Sequence, residues 1–185
     1  ADKDRLTHAE FEGWDEFCTD LGLACNIYFD TAMSLPAALG QVGQVGRGRV
    51  MQRGLSIGAT WDGEADSVYT FDDGNIIAGS FSIDYLPLDD RANQVDVTFY
   101  DSADEDYGRK TIKIISADYN ASTDEARTSS LTLYACTSKA MAYKHGRFLL
   151  RCNQYIRRTA SGESMVDALH GQPGVVVTVQ HSLSA

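Results

Sequence analysis

The glycine-rich stretch QVGQVGRGRVMQRG, residues 41–54, constrains the fold more than any other part of the chain. Three of its glycines, Gly43, Gly46 and Gly48, lie among arginines, as in loops that hold phosphate groups. A phosphate loop follows a strand and begins a helix, because the phosphate then meets the positive N-terminal end of the helix dipole. The elements on either side of the glycines therefore decide whether a nucleotide is expected here.

The order of the elements around these glycines is the reverse of that in a phosphate loop. Ser34 is suited to cap a helix and Pro36 to occupy its first turn. One helical face then carries the apolar residues Leu35, Ala38, Leu39, Val42 and Val45. After the glycines, residues 48–62 alternate around a central turn, which predicts a β-hairpin. We therefore expect no nucleotide site, with glycines that end the helix and Arg47 neutralising its terminal carbonyls.

Hydrophobic periodicity predicts two further helices. The first covers about residues 13–25 and has on one face Trp14, Phe17, Cys18, Leu21, Ala24 and Cys25. The second follows Thr137 or Ser138 and has an apolar stripe of Met141, His145, Phe148, Leu149, Cys152, Tyr155 and Ile156. Beside that stripe lie Lys144, Arg147 and Arg151, which we call the basic stripe.

The remaining segments predict short strands. Residues 25–30 have the composition of a strand, and residues 79–85 and 94–100 alternate on either side of the polar turn LPLDDRAN. Residues 110–115 and the tail after residue 173 complete the set. We expect an α+β fold of mixed small sheets with amphipathic helices packed on them and a β-rich C-terminal half. The predicted division is an α+β subdomain at 1–92 and a β-rich subdomain with one long helix at 93–185.

Charge and hydropathy exclude several classes of partner. The 185 residues include 26 acidic and 16 basic side chains, a net charge of −10, which repels nucleic acid. The longest apolar runs, such as GVVVTV at 174–179, are too short for a membrane span. The chain begins with ADKDRL, without an initiator Met or a signal peptide pattern. We expect an internal fragment of a longer protein.

The residue types that usually carry chemistry form no recognisable constellation. Cysteines 18, 25, 136 and 152 include no CxxC pair, and we expect reduced, buried thiols. None of the histidines, at 8, 145, 170 and 181, has a metal-ligand spacing, and His145 is expected in the core. The acidic run DSADED at 101–106 lacks the register of a calcium loop. The sequence therefore predicts no catalytic residue, no cofactor and no metal.

Four stretches, taken together, carry a resemblance. They are FDTAMSLPAALGQVGQVGRGRVMQRGLSIGATWD (29–62), GSFSIDYLPLDDRANQVDVTFYD (79–101), YACTSKAMAYKHGRFLLRCNQYIRRTASGE (134–163) and GQPGVVVTV (171–179). In this order they resemble segments of the tip attachment proteins of lambda-like long-tailed phages, the protein J family. The shared features are a Gly-Arg before a hairpin that ends in Trp-Asp, an Arg-x-Asn turn between strands, and a Pro-Gly turn entering a strand.

This resemblance implies a structural function in a phage or prophage. The chain would be an internal part of the baseplate hub that caps the tail tube, a homotrimer in the intact parent protein. Its partners would be other tail proteins and, through regions absent here, a host surface receptor. Its location would be the virion tail and, during assembly, the bacterial host cytoplasm. No catalytic, cofactor or metal residue is carried over.

Two other functions remain open at this point. A tail-associated cell-wall hydrolase would need a cleft with convergent ionisable groups. A carbohydrate- or receptor-binding module would need exposed aromatic residues in loops, whereas most aromatics here fall in core registers of predicted helices and strands. Within the hub interpretation, the basic stripe is the candidate interface, and the acidic loops at 62–66 and 101–106 of a neighbouring copy would complement it.

Overall fold

The structure is a computed structural model that describes residues 5–166, 168 and 171–182. Within these residues it contains three α-helices and nine β-strands in four small sheets, which confirms the predicted α+β fold. In chain order the elements are α1 (His8–Leu21), α2 (Leu35–Val45), β1 (Gly48–Arg53), β2 (Ser56–Trp61), β3 (Tyr69–Asp72), β4 (Ser82–Tyr85), β5 (Gln94–Tyr100), β6 (Arg109–Ile115), β7 (Thr128–Thr132), α3 (Lys139–Tyr155), β8 (Arg158–Ser161) and β9 (Val177–Gln180).

The chain forms two compact units, and each unit is assembled from separate segments. Among the described residues, the larger unit comprises 5–62 and 91–154, and the smaller unit comprises 63–90 and the described residues from 155 onward. The chain thus leaves the larger unit after β2, builds part of the smaller one, and returns before β5. Folding of the consecutive pieces 1–92 and 93–185 as separate subdomains stays a prediction.

The core of the larger unit lies between a three-stranded sheet and α3. Strand β5 is central, antiparallel to β6 and parallel to β7. Its alternate residues Val95, Val97 and Phe99 are almost completely buried, as expected for a central strand with one face on the core. Helix α3 approaches the sheet closely at Gly146, where a β-carbon would overlap Ile114 and lie 2.8 Å from Val97 Cγ2.

The α2 helix and the first hairpin form as the sequence predicts. Ser34 Oγ accepts a hydrogen bond from Ala37 N at 3.4 Å, and Pro36 lies in the first turn. Strands β1 and β2 pair antiparallel and close with Arg53 opposite Ser56. Gly54 occupies the two-residue turn with φ of 60°, a conformation that glycine adopts without strain.

The glycines at 46 and 48 let an aromatic side chain pack directly on the backbone. The indole ring of Trp14 lies so close to both that a β-carbon on either would overlap it. Trp14 Nε1 donates a hydrogen bond to Gly46 O at 2.8 Å. Between them, Arg47 has a φ of 50° and directs its guanidinium over the Phe148 ring, 4.2 Å from the centroid. The helix, glycine, strand order is confirmed.

The expectation that Arg47 neutralises the terminal carbonyls of α2 is wrong. Its Nη2 donates to the carbonyl oxygen of Lys144 in α3, at 3.2 Å, rather than to the last carbonyls of α2. The left-handed backbone of Arg47 turns the side chain away from the helix that precedes it and toward α3. Arg47 therefore joins the glycine turn to α3.

The strands predicted at 79–85 and 94–100, on either side of the polar turn, belong to different sheets. Strand β4 pairs antiparallel with β8 in the smaller unit, and β5 pairs with β6 and β7 in the larger one. The smaller unit is completed by β3, which pairs in parallel with β9. Apart from β5 with β6, each of these pairings links segments that are far apart in sequence, which periodicity alone does not reveal.

The first helix and the segment after it differ from the prediction. Helix α1 ends at Leu21 because Gly22 takes a left-handed conformation, and its N–H and the next one bond to the carbonyls of Thr19 and Cys18. Residues 25–30 are irregular rather than a strand. All four cysteines are free, but Cys25, beyond the end of the helix, is exposed. The expected burial is therefore wrong for Cys25, whereas Cys136 is buried.

A β-carbon at Gly146 should destabilise the larger unit. We expect Gly146→Ala to lower the free energy of unfolding by about 1–3 kcal/mol, because helix and sheet must separate to admit it. The control is Gly40→Ala in α2, where nothing lies within 4 Å of the added carbon. Gly40→Ala should raise stability by about 0.5–1 kcal/mol through helix propensity. Urea unfolding midpoints of both variants measure the difference, and equal midpoints would contradict this packing.

Candidate functional site

The basic stripe lies on the exposed side of α3, but its three residues have different environments. Lys144 Nζ donates a hydrogen bond to Leu21 O at 2.7 Å, at the C-terminal end of α1. A cation at the last carbonyls of a helix satisfies an acceptor and complements the helix dipole. Lys144 therefore stabilises the C-terminal end of α1 from its position on α3.

Arg147 and Arg151 are the charges of the stripe that are available to a partner. Both are exposed, and no ion pair within the described part of the chain involves either of them. The Arg147 guanidinium lies 5.9 Å from the ring centroid of Tyr143, whose side chain is about half exposed (48%). An aromatic ring beside an arginine is a frequent composition of protein interfaces.

The acidic loop at 101–106 is partly neutralised within the chain. Lys110 Nζ lies 2.9 Å from Asp101 Oδ2 and 3.4 Å from Asp104 Oδ2. The hydrogen bond from Lys110 lowers the pKa of Asp101 below its ordinary value. Glu105 and Asp106 are exposed, so the part of the loop that best complements a basic partner is this pair.

His145 lies under the stripe and is buried, with 3% of its surface exposed. Burial lowers its pKa to about 4, and the nearby positive charge of Arg47 acts in the same direction. The predicted position in the core is confirmed, whereas the ring atom Nε2 has no hydrogen-bond partner among the described residues. Among the described residues, no group of three or more His, Cys, Asp or Glu side chains could hold a metal ion. His170 lies outside those residues.

A recess with aromatic walls is the feature that the sequence analysis missed. The irregular segment after α1 presents Tyr28, 87% exposed, and Phe29, 41% exposed, beside Tyr107 and Tyr134. The recess encloses about 790 Å³ and contains one acidic residue among its lining, Asp30. The expectation that most aromatics occupy core registers is wrong here, because residues 25–30 form no strand that would pair and bury them.

Comparison with protein families identifies the class of protein. The model of a family described as "Putative phage tail protein" matches residues 39–185, most of the chain. The chain belongs to this phage tail protein family. A search of curated proteins found no match. Membership in a tail protein family suggests a structural, non-enzymatic role.

Solved structures share the fold at low sequence identity. The tail protein from Neisseria meningitidis MC58 matches with a TM-score of 0.58 and 13% identity, covering 94% of this chain and 57% of that one. A chain of the virion of the native gene transfer agent particle matches with a TM-score of 0.59 and 17% identity, covering 90% and 40%. The 43 kDa tail protein of prophage MuSo2 from Shewanella oneidensis matches with a TM-score of 0.50 and 9% identity, covering 94% and 56%.

These comparisons also show how much of each matched protein the chain spans. It spans between 40% and 57% of the length of the three structures that it matches. The described residues include no helix with the length and apolarity to cross a membrane. The family match supports a protein of the phage tail.

His145 should make the stability of this tail protein fall in mild acid. Its folded pKa of about 4 is below the unfolded value of 6.5, so acidification protonates the unfolded chain first. The contribution is fully present above pH 6.5, is lost as the pH falls toward 4, and amounts to about 3 kcal/mol. Urea unfolding of the wild type and His145→Gln between pH 7 and 4 measures it.

We expect the His145→Gln chain to lose less stability over this range than the wild type, because glutamine does not titrate. His8→Gln, at an exposed position, is the control and should follow the wild type. Parallel curves for His145→Gln and the wild type would contradict a neutral buried imidazole.

Proposed function

We propose that this chain is a structural part of the baseplate hub at the tip of a phage or prophage tail. Its membership in a tail protein family supports this position, as do four sequence blocks that resemble the tip attachment proteins in the same order. The structural observation that carries the proposal is the pair Arg147 and Arg151, exposed on α3 without an ionic partner in the described residues. A scaffold protein needs such faces for its neighbours.

In the proposed hub, three copies of the parent protein surround the tail axis, and the basic stripe faces the next copy. Glu105 and Asp106 are the complementary residues, since Lys110 already pairs with Asp101 and Asp104. Each exposed ion pair contributes about 0–1 kcal/mol to the free energy of association. The pairs would therefore set the register between neighbouring copies mainly because they are repeated at each interface of the trimer. Lys144, bound to Leu21 O, holds α3 against the end of α1 and contributes less to the contact.

The proposed location follows from this role. The parent protein assembles in the bacterial host cytoplasm with other tail proteins and remains in the virion tail. Contact with a host surface receptor is made by regions absent from this chain.

A carbohydrate- or receptor-binding module is the second candidate, and the aromatic recess favours it. Tyr28, Tyr107 and Tyr134 present rings and hydroxyl groups to solvent, a combination that suits sugar rings as well as protein surfaces. Titration with host surface polysaccharide distinguishes the two, because a hub interface would show no saturable binding. A tail-associated cell-wall hydrolase has no group of described residues in its favour.

Reversal of the exposed charges tests the interface. We expect Arg147→Glu combined with Arg151→Glu to impair tail assembly in the full-length protein, because the stripe would then repel the acidic loop. The same double variant of the isolated chain should keep its melting temperature within about 3 °C, as is usual for exposed positions. Infectious titre and electron microscopy of tails provide the measurement.

The matched control is Arg109→Glu combined with Arg158→Glu, which changes the net charge equally at exposed positions outside the stripe. Normal tails from the stripe variant would reject the interface. Immunogold labelling of wild-type particles tests the location separately, and label along the tube instead of at the tip would reject the hub position.

A further inference from the structure

One edge of strand β1 is covered by no other strand among the residues that the structure describes. In a hairpin closed by a two-residue turn, the closing pair Arg53 and Ser56 is hydrogen-bonded, and every second pair repeats this arrangement. The N–H and C=O groups of Val50 and Gln52 therefore point away from β2. Within the described part of the chain, these groups have no backbone partner on that side.

The other edge of the hairpin is closed by the chain itself. Ile57 O accepts a hydrogen bond from Thr7 N at 3.0 Å. Ala59 N donates to Glu10 Oε2 at 2.9 Å, and Arg53 Nη1 holds the same carboxylate at 2.7 Å. Exposed strand edges are usually protected, so the contrast between the two edges is informative.

A groove runs along the open edge between β1 and α2. At one end the two elements touch, since a β-carbon on Gly43 would lie 2.5 Å from Gly48 O. Toward the N-terminal end of α2 they diverge around a groove of about 740 Å³. Its apolar lining includes Leu35, Pro36, Leu39, Val50, Met51 and Ile57. Leu35 is 71% exposed, although its apolar neighbours make it suited to burial.

The charge of the groove is opposite to that of the chain. Arg49, which is exposed, is the one charged residue that lines it, in a chain with a net charge of −10. An apolar segment without charge would leave the Arg49 guanidinium unpaired, whereas a carboxylate beside it would form a charge-assisted hydrogen bond. The groove therefore suits an extended, mostly apolar segment that carries one carboxylate.

We propose that this groove docks an extended segment of a partner protein, which adds a strand to the open edge of β1. Main-chain hydrogen bonds to Val50 and Gln52 provide affinity, alternate apolar side chains enter beside Leu35 and Leu39, and a carboxylate of the segment pairs with Arg49. The inference goes beyond the proposed hub function, because it requires neither a trimer nor a position at the tail tip. It assigns to strand β1 of the glycine-rich hairpin a second role, in which its open edge pairs with a strand of the partner.

Synthetic nonapeptides test the groove directly on the full 185-residue chain. The first alternates valine and threonine around a central glutamate. The second has lysine in place of glutamate, and the third has proline in place of two valines. We expect the glutamate peptide to slow amide hydrogen exchange at Val50 and Gln52 about tenfold or more, with Met51, already paired to β2, unchanged. The lysine peptide should bind up to about fivefold more weakly, and the proline peptide should give no protection.

Two variants make the result specific. Gln52→Pro removes an outward N–H that the hairpin does not use, and the control Gln52→Thr retains it. Leu39→Glu leaves the strand intact and places a negative charge in the groove. Both Gln52→Pro and Leu39→Glu should abolish protection at Val50, while Gln52→Thr keeps it.

Several outcomes would overturn the proposal. Equal binding of the glutamate peptide to Leu39→Glu and to the wild type would place the site elsewhere. Slow exchange at Val50 and Gln52 in the free monomer would mean that the edge is already covered. Protection that grows with protein concentration, without peptide, would make a second copy of the chain the occupant instead of a partner segment.

Discussion

The close packing of Trp14 on the backbone at Gly46 and Gly48 is the constraint on which the larger unit depends. The indole ring occupies the volume that side chains would need at both positions, and its Nε1 satisfies the carbonyl of Gly46. This contact fixes α1 against the junction of α2 and β1. The ring also occupies the space beside the glycines that a phosphate loop would leave for its ligand.

Arg47 extends the same junction to α3. Its left-handed backbone and its guanidinium above Phe148 place the first hairpin and the long helix in contact. The cost of a non-glycine residue in this conformation is acceptable because the side chain gains an aromatic partner and the Lys144 carbonyl. His145, beside this arginine, is kept neutral mainly by burial, and the positive charge of Arg47 acts in the same direction.

The two proposed contact regions are each positioned by close packing at a glycine. The basic stripe is exposed on α3 because the opposite face of the helix packs at Gly146 against the sheet. The open edge of β1 exists because α2 touches the strand at Gly48 and then diverges from it. The two proposed faces, one charged and one apolar, therefore depend on different local contacts within the larger unit.

The sequence by itself determined the elements whose signals are local. Ser34 and Pro36 mark the start of α2, the periodic residues before Tyr155 mark α3, and Gly54 marks the hairpin turn, because caps, periods and turns depend on neighbours in the chain. Short motifs in a fixed order also indicated a phage tail protein, whereas membership in the tip attachment protein family stays a prediction. The basic stripe could be located for the same reason, and its role in an interface is a proposal.

Only the tertiary structure decided the pairings and the surfaces. Strand β4 pairs with β8 and β3 with β9 across long intervals, and such contacts leave no periodic signal in one sequence. The structure likewise decided that Tyr28 is exposed beside an irregular segment and that Lys144 binds Leu21 O. A residue's alternation or helical phase predicts which side chains share a face, but which face meets another element depends on the packing of distant segments. That physical difference separates what this sequence determined from what its fold decided.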